Sequence, residues 1–402
     1  MVTTNETIKN ENRQPILVES SLRNKYAKRV ELNHQNNLHS DYTEKIQELD
    51  RNFDYSKDRH YYWSDPQMSM FYGGPLYEMT SPEQKLALNH LYWIGVYYST
   101  AANEADTILY NQITASVLFS LGYEALCYEL DVETTQERHH IHAFHTVCNQ
   151  TESLLLGEPI IRATLQRVYS NHGILGRIPA RQLMLQFFAA NWGSSPFLAS
   201  QYYTIRYIAN MLLKNKESHY ARYFKDLERR GEYIPTPTAI SRYHFLDEAF
   251  HTTTSQFLSQ DLYKDLPAPT VYERFMLNTM IYLLQRNALG GLSGVFPGGF
   301  AGDRFGLIPS VYRLLQSSLF GMSAQEALDW MDKIFCQEHE GFHISYQFHQ
   351  RALADLRSVV ANNEYLSAAN REMRAMATAG SIEKAIASNT KAFRQFSKSV
   401  AQ

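Results

Sequence analysis

Cysteine is nearly missing. The 402 residues hold three, Cys127, Cys148 and Cys336, far apart and with no CxxC pair among them. That argues against a disulfide framework or a cysteine-rich zinc site. A reducing, cytoplasmic setting is the simplest expectation. Charge of one sign is missing too: 38 Lys plus Arg face 41 Asp plus Glu, a formal net of −3. No basic excess is offered to nucleic acid, and no acidic block forms a solvating tail. No apolar run reaches membrane-spanning length, and the opening "MVTTNETIKNENRQ" lacks the apolar stretch of a secretory leader. Neither nucleic acid nor membrane is therefore expected as a partner. Strand-like alternation is scarce as well.

What is present is apolar and helical. Apolar residues make up 44% of the chain and aromatics 13%, enough for a large core. Residues 1–58 are rich in Asn, Glu, Lys and Gln and read as a polar N-terminal arm. The "SPEQ" at 81–84 sets Ser81 as N-cap, Pro82 at the first helical position and Gln84 where a capping box needs it. Gly122 can end the long periodic stretch that follows. A second stretch runs from about 123 to 156. Two more flank "RRGEYIPTPT", with Gly231 ending one and Thr236-Pro237 opening the next. These signals predict an all-α, ferritin-like bundle of two long helical hairpins with extra helices over 59–366. A peripheral helix or tail is expected over 367–402. The Gly-rich stretch at 288–306 lacks both GxxxxGK[ST] and GxGxxG, and reads as a turn or a close packing contact.

One segment, "SRYHFLDEAFHTT" at 241–253, sets His244, Glu248 and His251 at helical spacing. Residues three and four apart share a helix face, so a carboxylate and an imidazole there reach one region. Inside a bundle, a carboxylate-bridged metal pair takes one Glu from each of two helices and Glu-x-x-His from each of two others. Four Glu-x-x-His matches occur: Glu31/His34, Glu137/His140, Glu248/His251 and Glu340/His343. The first lies in the polar arm and is set aside. Hairpin geometry tests two of the rest. Glu104 and Glu137 stand 33 residues apart, and their midpoint falls beside Gly122. Glu217 and Glu248 stand 31 apart, with their midpoint in the "RRGEYIPTPT" turn. In each antiparallel hairpin the two Glu come level. The expected metal ligands are thus Glu104, Glu137, His140, Glu217, Glu248 and His251, with His244 as a seventh. A metal-bound His usually gives its other N–H to an acceptor. Asp247 is placed to serve His140, and Gln136 to serve His251. Thr100 and Ala101 beside Glu104 either leave room for a substrate or let helices approach closely. His139, His142 and His145 fall on other faces and read as surface or packing residues.

Glu104, Glu137-x-x-His140, Glu217 and His244-x-x-x-Glu248-x-x-His251 together resemble the ligand set of the diiron N-oxygenases that act on p-aminobenzoate and related arylamines. The resemblance covers about 85–255. The chain is longer than that family between the second and third ligand helices and after His251. It also resembles the longer dimetal-carboxylate halogenases of the cylindrocyclophane type, which chlorinate unactivated carbons of fatty-acyl chains. "YYWSDPQMSMFYGGPLY" and the aromatic richness look more like that branch. The resemblance implies an oxidoreductase holding two irons, or a manganese/iron pair, with O2 as co-substrate. It implies N-oxygenation or C–H functionalisation, halogenation included, of a small or carrier-bound acyl substrate in a biosynthetic pathway. Electrons would come from an external reductase, since no flavin, nicotinamide or iron–sulfur motif is visible. A homodimer is the oligomer expected.

Two other readings stand beside this one. His339-Glu340-Gly341-Phe342-His343 is a full HExxH, and Glu364 follows at a distance that suits a third ligand of a zinc peptidase. Gly341 within a stiff helix argues against it. An iron-storing bundle would need the metal centre without a substrate pocket. The chain carries nearly twice the bulk that the ligand helices require.

Overall fold

The computed structural model describes residues 20–161, 187, 190–303 and 306–400, and among these there is no β-strand. The helices are, in order, α1 Ser20–His39, α2 Thr43–Asn52, α3 Tyr55–Asp58, α4 Pro75–Met79, α5 Pro82–Phe119, α6 Glu124–Leu156, α7 Pro196–Arg230 and α8 Thr236–Gln260. Beyond them come α9 Val271–Asn287, α10 Leu307–Gln316, α11 Ala324–Cys336, α12 Glu340–Val360, α13 Ala368–Arg371, α14 Arg374–Ala379 and α15 Ile382–Val400. The all-α expectation holds among the described residues, and α5/α6 and α7/α8 are its two long hairpins.

Local chemistry explains where these rods begin and end. Ser81 Oγ accepts from the Gln84 amide at 3.2 Å, and Gln84 Oε1 accepts from the Ser81 amide at 3.0 Å. This reciprocal box satisfies two otherwise orphaned donors at the start of α5. Ser195 caps α7 with a one-way bond, its Oγ accepting from the Leu198 amide at 3.2 Å, ahead of Pro196. Gly231 closes α7 at φ +66°, a left-handed conformation that glycine adopts without steric cost. Buried Asp58 ties down the turn that follows, accepting from Tyr233 Oη at 2.7 Å and the Thr236 amide at 3.0 Å.

Two apolar clusters hold the hairpins. One gathers Trp63, Trp93, Tyr97 and Phe144; the other gathers Tyr203, Leu258, Leu277 and Leu356. The segment expected as a polar arm contributes α1 and α2, which pack on α6 and α8. In the Gly-rich stretch, a side chain at Gly291 would strike the backbone at Gly302. Buried Asp303 braces the same loop by accepting from the Gly294 amide at 2.9 Å and from Asn389 Nδ2 of α15 at 3.0 Å. This is a close backbone approach pinned by a carboxylate. Among the described residues no helix is long and apolar enough to cross a membrane.

Candidate metal centre

Glu104 comes from the middle of α5, Glu137 and His140 from α6, Glu217 from α7, and His244, Glu248 and His251 from α8. All seven are exposed by 7% or less, so water cannot solvate the carboxylates. Each has moved from an open chain into the centre of a four-helix array. Such burial is costly unless positive charge and hydrogen bonds compensate.

The side chains fall into two overlapping groups. One ligand atom from each of Glu104, His140, His244 and Glu248 lies within 4.8 Å of the others; Glu137, Glu248 and His251 form the second set. Glu248 belongs to both. Glu217 stands behind His244, joined to its Nδ1, while His244 Nε2 lies 2.9 Å from Glu104 Oε1. Outside this core, His140 Nε2 faces Asp247 Oδ2 at 3.1 Å, and His251 Nε2 faces Gln136 Oε1 at 2.9 Å. Both rings therefore turn Nδ1 inward: His251 Nδ1 is 2.8 Å from Glu248, and His140 Nδ1 is 3.5 Å from Glu137.

The donor set asks for cations. Burial, and then the Glu137 carboxylate, push Glu104 up to about 7. Burial alone would pull His140 down, but Asp247 and Glu137 outweigh it and raise the ring to about 9. His244 and His251 are likewise held well above the usual imidazole range, because neighbouring carboxylates outweigh their burial. The surrounding carboxylates thus favour protons on these rings when no metal is bound. Metal ions would displace them. Within the ligand set four buried atoms make no close hydrogen bond: Glu104 Oε2 and Glu217 Oε2 face no partner, and His140 Nδ1 and Glu137 Oε2 face each other only at 3.5 Å. Native structures rarely leave such atoms unpaired. Four in one cluster, all of metal-binding type, fit a metal pair.

The chain matches the family described as acyl halogenase CylC-like over residues 25–171 and 164–397. It belongs to that family. CylC-like acyl halogenases are dimetal-carboxylate enzymes that halogenate acyl substrates in biosynthesis, and this chain is one of them. Of the two resemblances read from the ligand pattern, the match is to the halogenase branch. No curated protein and no solved structure matches the chain.

Around this CylC-like centre stand residues that sequence reasoning passed over. Arg206 of α7 is buried, with Nη1 2.5 Å from Glu133 Oε2 and Nη2 2.9 Å from Glu137 Oε1. A signal existed: Arg206 interrupts the aromatic run "QYYTIRYIAN" eleven residues before Glu217, about three helical turns. Glu129 and Asn37 are also buried, joined at 3.0 Å, and Asn37 Oδ1 accepts from Gln136 Nε2 at 2.8 Å. No local pattern around Asn37 could have shown this. The apolar side is closed by Phe144, whose ring lies 5.1 Å from His244 and stacks at 4.2 Å on Tyr97.

The HExxH reading needs correction. α12 starts at Glu340, so His339 is its N-cap, with extended backbone (φ −153°, ψ 167°). The two histidines do not share a helical face. His339 Nε2 bonds the Ile334 carbonyl at 2.9 Å, His343 is half-exposed and pairs with Glu338 at 2.9 Å, and Glu364 is exposed. Gly341 lies in the first turn of α12 and donates its amide to the Gly73 carbonyl at 3.0 Å. His139 and His142 sit at the rim, facing Gln47 and Asp50.

Proposed function

We propose that Glu104, Glu137, His140, Glu217, His244, Glu248 and His251 hold two irons, or manganese and iron, for halogenation of an unactivated carbon of a free or carrier-bound acyl chain. The observation that carries this reading is the convergence of two overlapping Glu/His groups, with four buried ligand atoms that make no close hydrogen bond. When bound, the metal pair supplies the O2-dependent oxidation of a C–H bond, with electrons from an external reductase.

The chain's own residues set the conditions. Glu248, common to both groups, would contribute its carboxylate to both metal positions. Asp247 and Gln136 keep a proton on Nε2 of His140 and His251, which leaves Nδ1 of each as the metal-facing atom. His244 adds a second imidazole to the Glu104 group, which would give that metal position more nitrogen than the other. Arg206 offsets part of the carboxylate charge at Glu137. Phe144, Tyr97 and Trp93 exclude water from one side. Halide and acyl chain must enter elsewhere.

The test is direct. Metal-stripped protein is loaded with ferrous and manganous salts, metal content is counted, and free and thioester-bound acyl chains are supplied with O2, a reductase and chloride. Two metals per chain and a product heavier by chlorine for hydrogen are expected. A single zinc, or turnover indifferent to chloride, would sink the reading.

A further inference from the structure

His140 and His251 occupy equivalent places on two helices, yet their outward nitrogens are held differently. His140 faces a carboxylate, Asp247 Oδ2, at 3.1 Å. Either oxygen of a carboxylate can only accept, so the ring must carry its proton on that side. His251 faces a primary amide, Gln136, at 2.9 Å. An amide has a donating end and an accepting end, and swapping them would turn an NH2 toward the ring. The imidazole would then have to accept at Nε2 and carry its proton on Nδ1, the atom aimed at the metal. Something must stop Gln136 from flipping.

The neighbours form a one-way chain. Glu129 Oε1 accepts from Asn37 Nδ2 at 3.0 Å and from Asn33 Nδ2 at 3.2 Å, while its Oε2 faces His34 Nδ1 at 2.8 Å. With its amino end committed to that carboxylate, Asn37 turns its Oδ1 to Gln136 Nε2, at 2.8 Å. Gln136 must then present Oε1 to His251. The Asn37 amino group also reaches Gln136 Oε1 at 3.3 Å, which reinforces the same sense. Glu129, Asn37, Gln136 and His251 are all within 1% of full burial, so water cannot replace a member.

Resting on the metal assignment above, we propose that Asn37 of α1 is a positioning residue. It passes the acceptor character of Glu129 through Gln136 to His251, and so fixes which ring nitrogen is free for the metal. α1, which looks like a polar appendage in sequence, thereby completes one of the two metal positions and leaves the His140 side untouched.

The experiment titrates the full-length, metal-stripped chain with Co(II) and follows absorption and heat. Wild type should take two equivalents, and His251→Ala should lose affinity for one. If either result fails, the metal assignment fails and the relay falls with it. Given both, Asn37→Ala should weaken one equivalent about 10- to 100-fold and leave the other unchanged. Glu129→Gln, equal in size but with a donating end, should weaken the same equivalent. The Asn37→Ala/Gln136→Glu double variant should recover most of the loss, because a carboxylate at 136 has no wrong end. Wild-type titrations in Asn37→Ala and Glu129→Gln, equal weakening of both equivalents, or no recovery in the double variant would each overturn the relay. Melting of the metal-stripped variants identifies any that is merely unfolded; for Asn37→Ala in that event, Glu129→Gln decides.

Discussion

Arg206 is the one side chain among the described residues that brings a permanent positive charge to Glu133 and Glu137. Removing one partner of a buried ion pair strands the other, at about 3–5 kcal/mol. Arg206→Met should cost that much in urea unfolding of the metal-stripped protein. Arg206→Lys should not recover it, since an ammonium cannot reproduce the two-pronged contact. His90 offers a pH test away from the metal cluster. Its Nε2 meets the Tyr61 carbonyl at 2.8 Å, its Nδ1 meets Tyr55 Oη at 3.2 Å, and the ring stacks on Trp63 at 4.2 Å. Burial drives it down to about 4 from 6.5. The folded protein thus refuses a proton that the unfolded chain accepts below 6.5. This group's stabilisation is complete above pH 6.5 and is lost as pH falls toward 4, by up to about 3 kcal/mol. Unfolding free energies at pH 7 and 4.5 should show a steeper loss for wild type than for His90→Phe. Parallel slopes would refute the assignment.

At the scale of elements, caps and turns decide where ligands come level. The α5/α6 and α7/α8 turns place Glu104 beside Glu137 and Glu217 beside Glu248 only because each helix ends on time. Ser81→Ala should cost about 1 kcal/mol of stability. Gly231→Ala should cost about 1–2 kcal/mol from backbone strain alone, as a side chain there meets nothing within 4 Å. Chemical denaturation would read both, and an unchanged midpoint for Gly231→Ala would mean the turn relaxes. The start of α12 shows the converse. HEGFH has the right letters, but the helix begins one residue too late for His339 to share a face with His343. His343→Ala should leave the metal content unchanged and shift stability by no more than about 0.5 kcal/mol.

Across the whole molecule, the metal centre and the fold share one energy balance. Carboxylates gathered from four helices are only partly offset by Arg206 and the imidazoles, so bound metal should stabilise the chain as a whole. At a free ion concentration one hundred times the dissociation constant, each site adds about 2.7 kcal/mol. Thermal unfolding with Mn(II) and then with chelator should differ in that sense. Equal melting temperatures would mean that the cluster is content without ions.

The helical hairpins and the convergence of Glu104, Glu137, His140, His244, Glu248 and His251 were legible because they obey local rules. A helix repeats every 3.6 residues, a cap acts on its own first turn, and an antiparallel hairpin brings level whatever lies equally far from its turn. Those relations are contained in the chain and need no partner. The tertiary structure alone decided which elements cover the site. Asn37 meets Gln136 across 99 residues, and Arg206 meets Glu137 across 69. It also decided that His339 stands outside the helix, at the N-cap position, while His244 lies between two carboxylates. A contact between distant segments depends on how the packed helices bury their faces against one another, and no spacing within one segment carries that information.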